Sequence, residues 1–303
     1  MKITVTAPQY VAGIFDRLVS PSNIRKLEVG IIQIAVVSFI LHLGFIFFAN
    51  HRPGASATHH LSYLKAIFTP FSFILFYEVI LLVIILPKSM SEFIGKQFEI
   101  ITFITLRSFF HDIGDVSAQS PHTDIGASAV HLGQDLIAAV MMFALTVTFH
   151  RLHERHRDQP VPEPLKNFVD LKKTVSMILL VVLLATSMLS LSTWIFNAIP
   201  AALGHVEFLD PNAFFYADFF STMIIADVFL LVISMLYDST FYGVVRNASF
   251  VISTILLRLS LGAERPANHL IAISSFVFSI AILLTLRFRQ KPSPAVKELP
   301  LDP

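Results

Sequence analysis

The stretch FYEVILLVIILPKSMSEFIGKQFEIITFITLRSFF, Phe76 to Phe110, decides how this chain is read. Its first part is apolar enough for a membrane interior, yet Glu78 stands inside it. Its second part is also mostly apolar, yet it carries Lys96, Glu99 and Arg107. Pro87 and Lys88 mark a turn between the two, because proline lacks a backbone donor and stops a helix. The pattern predicts a helical hairpin with ionisable residues set among apolar ones.

The rest of the chain extends that pattern. Of its 303 residues 54% are hydrophobic and 14% charged, and the mean hydropathy is +0.70. Soluble domains carry about 25% charged residues, so too little polar surface exists here to coat a water-exposed globule. Several windows reach the roughly 20 apolar residues that cross hydrocarbon. The alternating segments of about ten residues that build a membrane β-barrel are missing. The expected fold class is all-α, a polytopic helical membrane protein. With no cysteine in the sequence, disulfides, thiolate nucleophiles and Cys-ligated metals are excluded.

Eight spans are expected, at about 29–49, 68–87, 92–110, 131–150, 174–198, 214–237, 241–261 and 268–288. Pro53-Gly54, Pro121, Pro160 to Pro164, Pro200 and Pro266 punctuate the turns. Residues 1–28 form a cytoplasmic amphipathic segment in which YVAGIFDRLV reads as a surface helix. Asp16, Arg17 and Pro21 interrupt any apolar core there, so the segment does not read as a cleaved signal peptide. Residues 151–173 are a basic and then Pro-rich linker, and 290–303 read as a disordered tail.

Lys and Arg fix the expected orientation. With the N-terminus cytoplasmic, the inner segments hold seventeen of them, including Arg25, Lys26, Lys88, Arg151, Lys172, Lys173, Arg246 and Arg289. The outer segments keep Arg52, Lys65, Arg258 and Arg265, with Arg107 in a span near its outer end. That asymmetry places both termini inside, in the plasma (inner) membrane, and requires an even number of spans. The basic linker, with His150, His153 and His156 among its arginines, is suited to anionic lipid headgroups.

Slid on itself by 149 residues, the sequence aligns EVILLVIILPKS with DVFLLVISMLYD and sets Glu78 on Asp227. With two residues added in the turn, IITFITLR meets VISTILLR and Arg107 falls on Arg258. Further on, LTVTFHR meets LTLRFRQ. Apolar runs align by chance, but the order acid, turn, arginine in matching spans is informative. It predicts a tandem 4+4 repeat, residues 29–150 and 174–289, whose halves share one orientation as parallel repeats. A four-helix unit with an acid in its second helix is also the outline of a voltage-sensor domain. Spans four and eight hold no arginine before their inner ends, which rules that out.

A carboxylate at mid-span costs a few kcal/mol, about 2.5 or more, so Glu78 and Asp227 should face the bundle interior and be paired or protonated. Arg107 and Arg258 are the candidate partners, several residues nearer the outer face, with long stems to cover part of the gap. Two readings compete: pairs that fix helix packing, or an ion or proton path. His42 lies in the outer half of the first span at a depth close to that of Glu78, where an imidazole either relays protons or bonds a neighbouring helix. Lys96 and Glu99, three apart, share a helix face and read as an interfacial pair. Their counterparts Asn247 and Phe250 are uncharged. In the outer segment HDIGDVSAQSPHTDIGASAVHLGQD, the side chains of His111, Asp115, His122 and Asp124 are of metal-ligand type, without any HExxH-type spacing.

No cofactor is implied, and nucleic-acid binding has no support, since phosphate-cradling glycine loops are missing. The expected partners are the lipid bilayer and its anionic headgroups. A pore often needs several copies, and the lack of a large soluble domain fits an accessory subunit. The leading expectation is a transporter or channel with a polar path between pseudo-symmetric halves. The alternatives are a scaffold or sensor subunit and an intramembrane metal-dependent enzyme.

Overall fold

The computed structural model describes residues 6–51, 63–118, 125–154, 166–202, 211–237 and 240–289. Among them it is all-helical, with nine α-helices and no strand. Helix α1 spans Thr6–Leu18, α2 Pro21–Asn50, α3 Phe68–Ile85, α4 Met90–Ala118 and α5 Ile125–Glu154. The remaining four are α6 Lys166–Ala202, α7 Pro211–Tyr237, α8 Phe241–Leu261 and α9 Ala267–Arg289. Each of the eight expected spans falls on one helix from α2 to α9, and the helices run on beyond several of them, α4 to Ala118 and α6 back to Lys166.

Local chemistry sets the ends. Proline at the first turn of α2 suits a position whose N–H has no intrahelical partner. After α3, Pro87 prevents continuation, and the Ser89 hydroxyl accepts the Glu92 N–H at 3.2 Å, capping α4. Thr240 caps α8 in the same way, accepting the Gly243 N–H at 3.2 Å.

Among the described residues, four helices are long and apolar enough to cross a membrane, over Pro21–Phe48, Ala129–His153, Phe241–Leu261 and Ala267–Leu286. Shorter apolar helices cover Thr69–Ile85 and Thr222–Met235. Among the four, hydropathy and burial run in opposite directions. The most apolar, in α2, is 11% buried, whereas the least apolar, α8, is 50% buried. Water-driven folding buries the most apolar surface; here the more polar helix is the one enclosed, and Ile32, Ile40, Leu41, Phe45 and Phe48 of α2 are exposed.

Sequence neighbours pack as hairpins from α2 to α5 and from α6 to α9, and further contacts join α3 to α6, α4 to α8, α5 to α9 and α1 to α6. Two cores result. One gathers Leu75, Val79, Leu82, Val83 and Leu86 of α3 with Leu179, Leu183, Met223 and Leu230 of α6 and α7. The other gathers Ala138, Met142 and Phe149 of α5 with Phe250, Leu257, Ala272 and Phe276 of α8 and α9. Helix α4 belongs to both. It sends Phe93 and Ile100 into the first and Ile94, Phe98 and Ile101 into the second. There Phe98 stacks on Phe276 with centroids 3.9 Å apart and meets Phe149 edge-on at 5.0 Å. The most heavily charged stretch of the opening hairpin is therefore a central helix.

Candidate functional site

Asp227 is buried and Glu78 largely so, and each is paired with a cation on the next helix. On α7 the Asp227 carboxylate is 1% exposed and Arg258 of α8, 4% exposed, brings Nη2 to 2.8 Å from Oδ2. Arg258 lies about two turns further from the α7–α8 turn than Asp227, and its extended stem covers the difference. The Thr254 hydroxyl, one turn below Arg258 on the same face, lies 2.8 Å from the Val251 carbonyl and 3.3 Å from Asp227 Oδ2. Its single hydrogen is shared between these acceptors.

The first hairpin makes a different pair. Glu78 of α3 contacts Lys96 of α4, and Lys96 Nζ also reaches Glu99 Oε2 at 2.7 Å. Glu99 Oε1 in turn lies 2.9 Å from Nε2 of His150 on α5. A chain of polar contacts thus runs Glu78, Lys96, Glu99, His150 across three helices. Its Glu78–Lys96 end is enclosed and its Glu99–His150 end is about a third exposed. Gly95 makes room for the last link: a Cβ there would stand 2.8 Å from His150 Cε1.

The expected partner of Glu78, Arg107, instead donates from Nη1 to Ser72 Oγ at 3.4 Å. Depth explains the exchange. Glu78 and Lys96 are nearly equidistant from the turn at Pro87–Ser89, whereas Arg107 stands about three turns farther out. Counting both helices from that turn would have singled out Lys96. Lys96 is therefore an interior residue, not only half of an interfacial pair with Glu99. The equivalent position in the second hairpin, Asn247, is also buried and donates to Ser234 Oγ at 3.5 Å.

His42 bonds Thr69 Oγ1 across the α2–α3 contact. Thr69 lies about two and a half turns from Glu78 along α3, so the imidazole serves a neighbouring helix at that point. Of the residues expected as metal ligands, His122 and Asp124 lie outside the described residues, as do the side chains of His111 and Asp115. Among the described residues no group of three or more His, Asp or Glu side chains is arranged to hold a metal.

A third polar cluster, unanticipated as a unit, gathers at the α8–α9 turn. Arg265, in the turn between α8 and α9, contacts Asp112 of α4, donates to Ser108 Oγ at 2.9 Å and lies 3.4 Å from Asp135 Oδ2 of α5. His269 Nε2 of α9 is 2.8 Å from Asp135 Oδ1. Burial pulls the Arg265 guanidinium down, but the bond to Asp112 and the charges of Asp135 and Asp112 outweigh it and hold its pKa above the usual value. The acids were visible in the outer segment; their partners come from a turn more than a hundred residues away, which only tertiary packing brings together.

Comparison with known protein families, with curated proteins and with solved structures finds no match for this chain.

Proposed function

We propose that the chain is an integral membrane transporter or channel-type protein built from two pseudo-symmetric halves, α2–α5 and α6–α9. All eight helices cross the bilayer, and both termini face the cytoplasm. The observation that carries the reading is the Asp227–Arg258 pair. A buried ion pair adds little net stability over apolar side chains of similar size, and ionisable groups within membrane helices mark ion or substrate paths. The cross-contacts also fit the repeat: α4 meets α8 and α5 meets α9, third helix with third and fourth with fourth. The exposed, highly apolar face of α2 fits lipid as the solvent.

The test is ion and proton flux in dye-loaded proteoliposomes under imposed pH and salt gradients. Glu78→Gln and Asp227→Asn should each change the flux or its pH dependence. Unchanged flux in both would retire the transport reading and leave a scaffold subunit, a role that an acid–cation contact between neighbouring helices would serve equally well.

A further inference from the structure

The Asp227–Arg258 contact is incompletely hydrogen-bonded. A guanidinium carries five N–H donors in a planar fork, and a purely architectural pair would be expected to use the bidentate form. Here Nε, Nη1 and Nη2 of Arg258, all buried, make no aligned hydrogen bond among the described residues. Nη2 stands 2.8 Å from Asp227 Oδ2, while Nε and Nη1 face no acceptor among the described residues. Asp227 Oδ1 is likewise buried without a donor. Leaving such groups unmet is costly, and more so for charged ones. Donors are in surplus, so the ligand that completes the site is an acceptor, and beside a guanidinium an anion is preferred. A cation arriving at Asp227 would do the reverse, displacing Arg258 and stranding every donor.

Charge balance adds a condition. The pair is neutral, and an added anion would leave a net negative charge in a low-dielectric interior. Nothing else in the vicinity compensates: among the described residues the charge acting on Asp227 is Arg258, and the charge acting on Arg258 is Asp227. Helix α6, packed on the far side of α7, carries Asp170, Lys172 and Lys173 in its first turns. On α4, packed against α8, Lys96 and Glu99 are engaged with Glu78 and His150. On α9, His269 is engaged with Asp135.

We propose that Arg258, Asp227 and Thr254 form a binding site for one small monovalent anion, taken up together with one proton. The anion takes the place of the Asp227 carboxylate at the guanidinium, and the proton goes to Asp227, leaving the occupied site neutral. The Thr254 hydroxyl, already shared between two acceptors, turns to donate to the anion or to accept from the new Asp227 O–H. This deepens the transport reading and rests on it only for its purpose, since binding is measurable without flux.

The experiment adds sodium chloride, nitrate or formate, with gluconate as the bulky control, to the purified full-length protein in weakly buffered detergent containing a pH dye. At least one of the three should produce saturable proton uptake approaching one per chain. Its apparent affinity should weaken about tenfold per pH unit where the free site is deprotonated. Asp227→Asn should bind the same anion without proton uptake and without that pH dependence. Arg258→Gln should abolish binding, and Arg258→Lys, which keeps the charge, should restore part of it. Absence of uptake with all three salts, or uptake that survives Asp227→Asn, would overturn the proposal. Anion binding without flux would retire the transport reading alone; cation flux without anion binding would retire the site alone.

Discussion

At the scale of single residues, the immediate surroundings of each charge decide what it does. Lys172 lies just before the apolar run of α6, with Nζ donating to the Lys88 carbonyl at 3.0 Å and resting 4.8 Å from the Phe168 ring centre. Burial, with the nearby Arg246 charge, pulls its pKa from 10.5 down to about 8. Between pH 8 and 10.5 the unfolded chain therefore binds the proton that the folded chain has released, so stability rises with pH across that window. The melting temperature of the wild type in detergent, measured against Lys172→Met, should gain several degrees from pH 8 to pH 10. An equal pH response in both proteins would refute this. The burial of Lys172 was hidden in the sequence, where it reads as one member of a basic linker. Asp227 and Arg258 were legible because each interrupts an apolar run. The exchange of Arg107 for Lys96 was not read, since it follows from matched depth rather than from residue type.

At the scale of elements, each expected span falls on a helix, and among the described residues four of these helices are long and apolar enough to cross a membrane. What hydropathy could not give was which helix lies inside. α4 is among the least apolar of the expected spans, yet it touches both cores, because its Phe and Ile residues occupy two faces while Lys96 and Glu99 hold a third. Its approach to α5 depends on Gly95. Gly95→Ala should drive the His150 ring from its seat, break the contact with Glu99 and lower stability by about 1–2 kcal/mol. Thermal unfolding in detergent reads the loss. A Gly95→Ala, His150→Ala double variant should lose less than the two single changes added, because the clash exists only with the ring present.

At the scale of the whole molecule, helices α2–α5 and α6–α9 meet through different polar contacts at opposite ends. At one end Lys172 of α6 donates a hydrogen bond to the α3–α4 turn. At the other Arg265 and His269 bind Asp112 and Asp135 of two other helices. The assignment of these ends to membrane sides rests on the Lys and Arg asymmetry and is directly checkable. The chain has no cysteine, so single reporters need no altered background. In intact cells a membrane-impermeant maleimide should label Ala263→Cys in the α8–α9 turn and not Ser89→Cys in the α3–α4 turn; the opposite result would invert the topology. This long-range joining was illegible in the sequence, for a short turn in one half says nothing about which acids of the other half it meets.

The contact between Glu78 and Lys96 also bears on how the protein is made. A helix carrying Glu92, Lys96, Glu99 and Arg107 would partition poorly from the translocon by itself, since each charge near a span centre opposes insertion by about 2.5–3.5 kcal/mol. Helix α3, strongly apolar, leaves the ribosome just before it and brings a carboxylate that meets Lys96 at its own depth. In the proposed topology the two segments are therefore suited to settle in the bilayer as a pair, Glu78 neutralising Lys96, with the turn at Pro87 left on the cytoplasmic side. Biogenesis would then be ordered by the same residues that first made the stretch look out of place in a membrane.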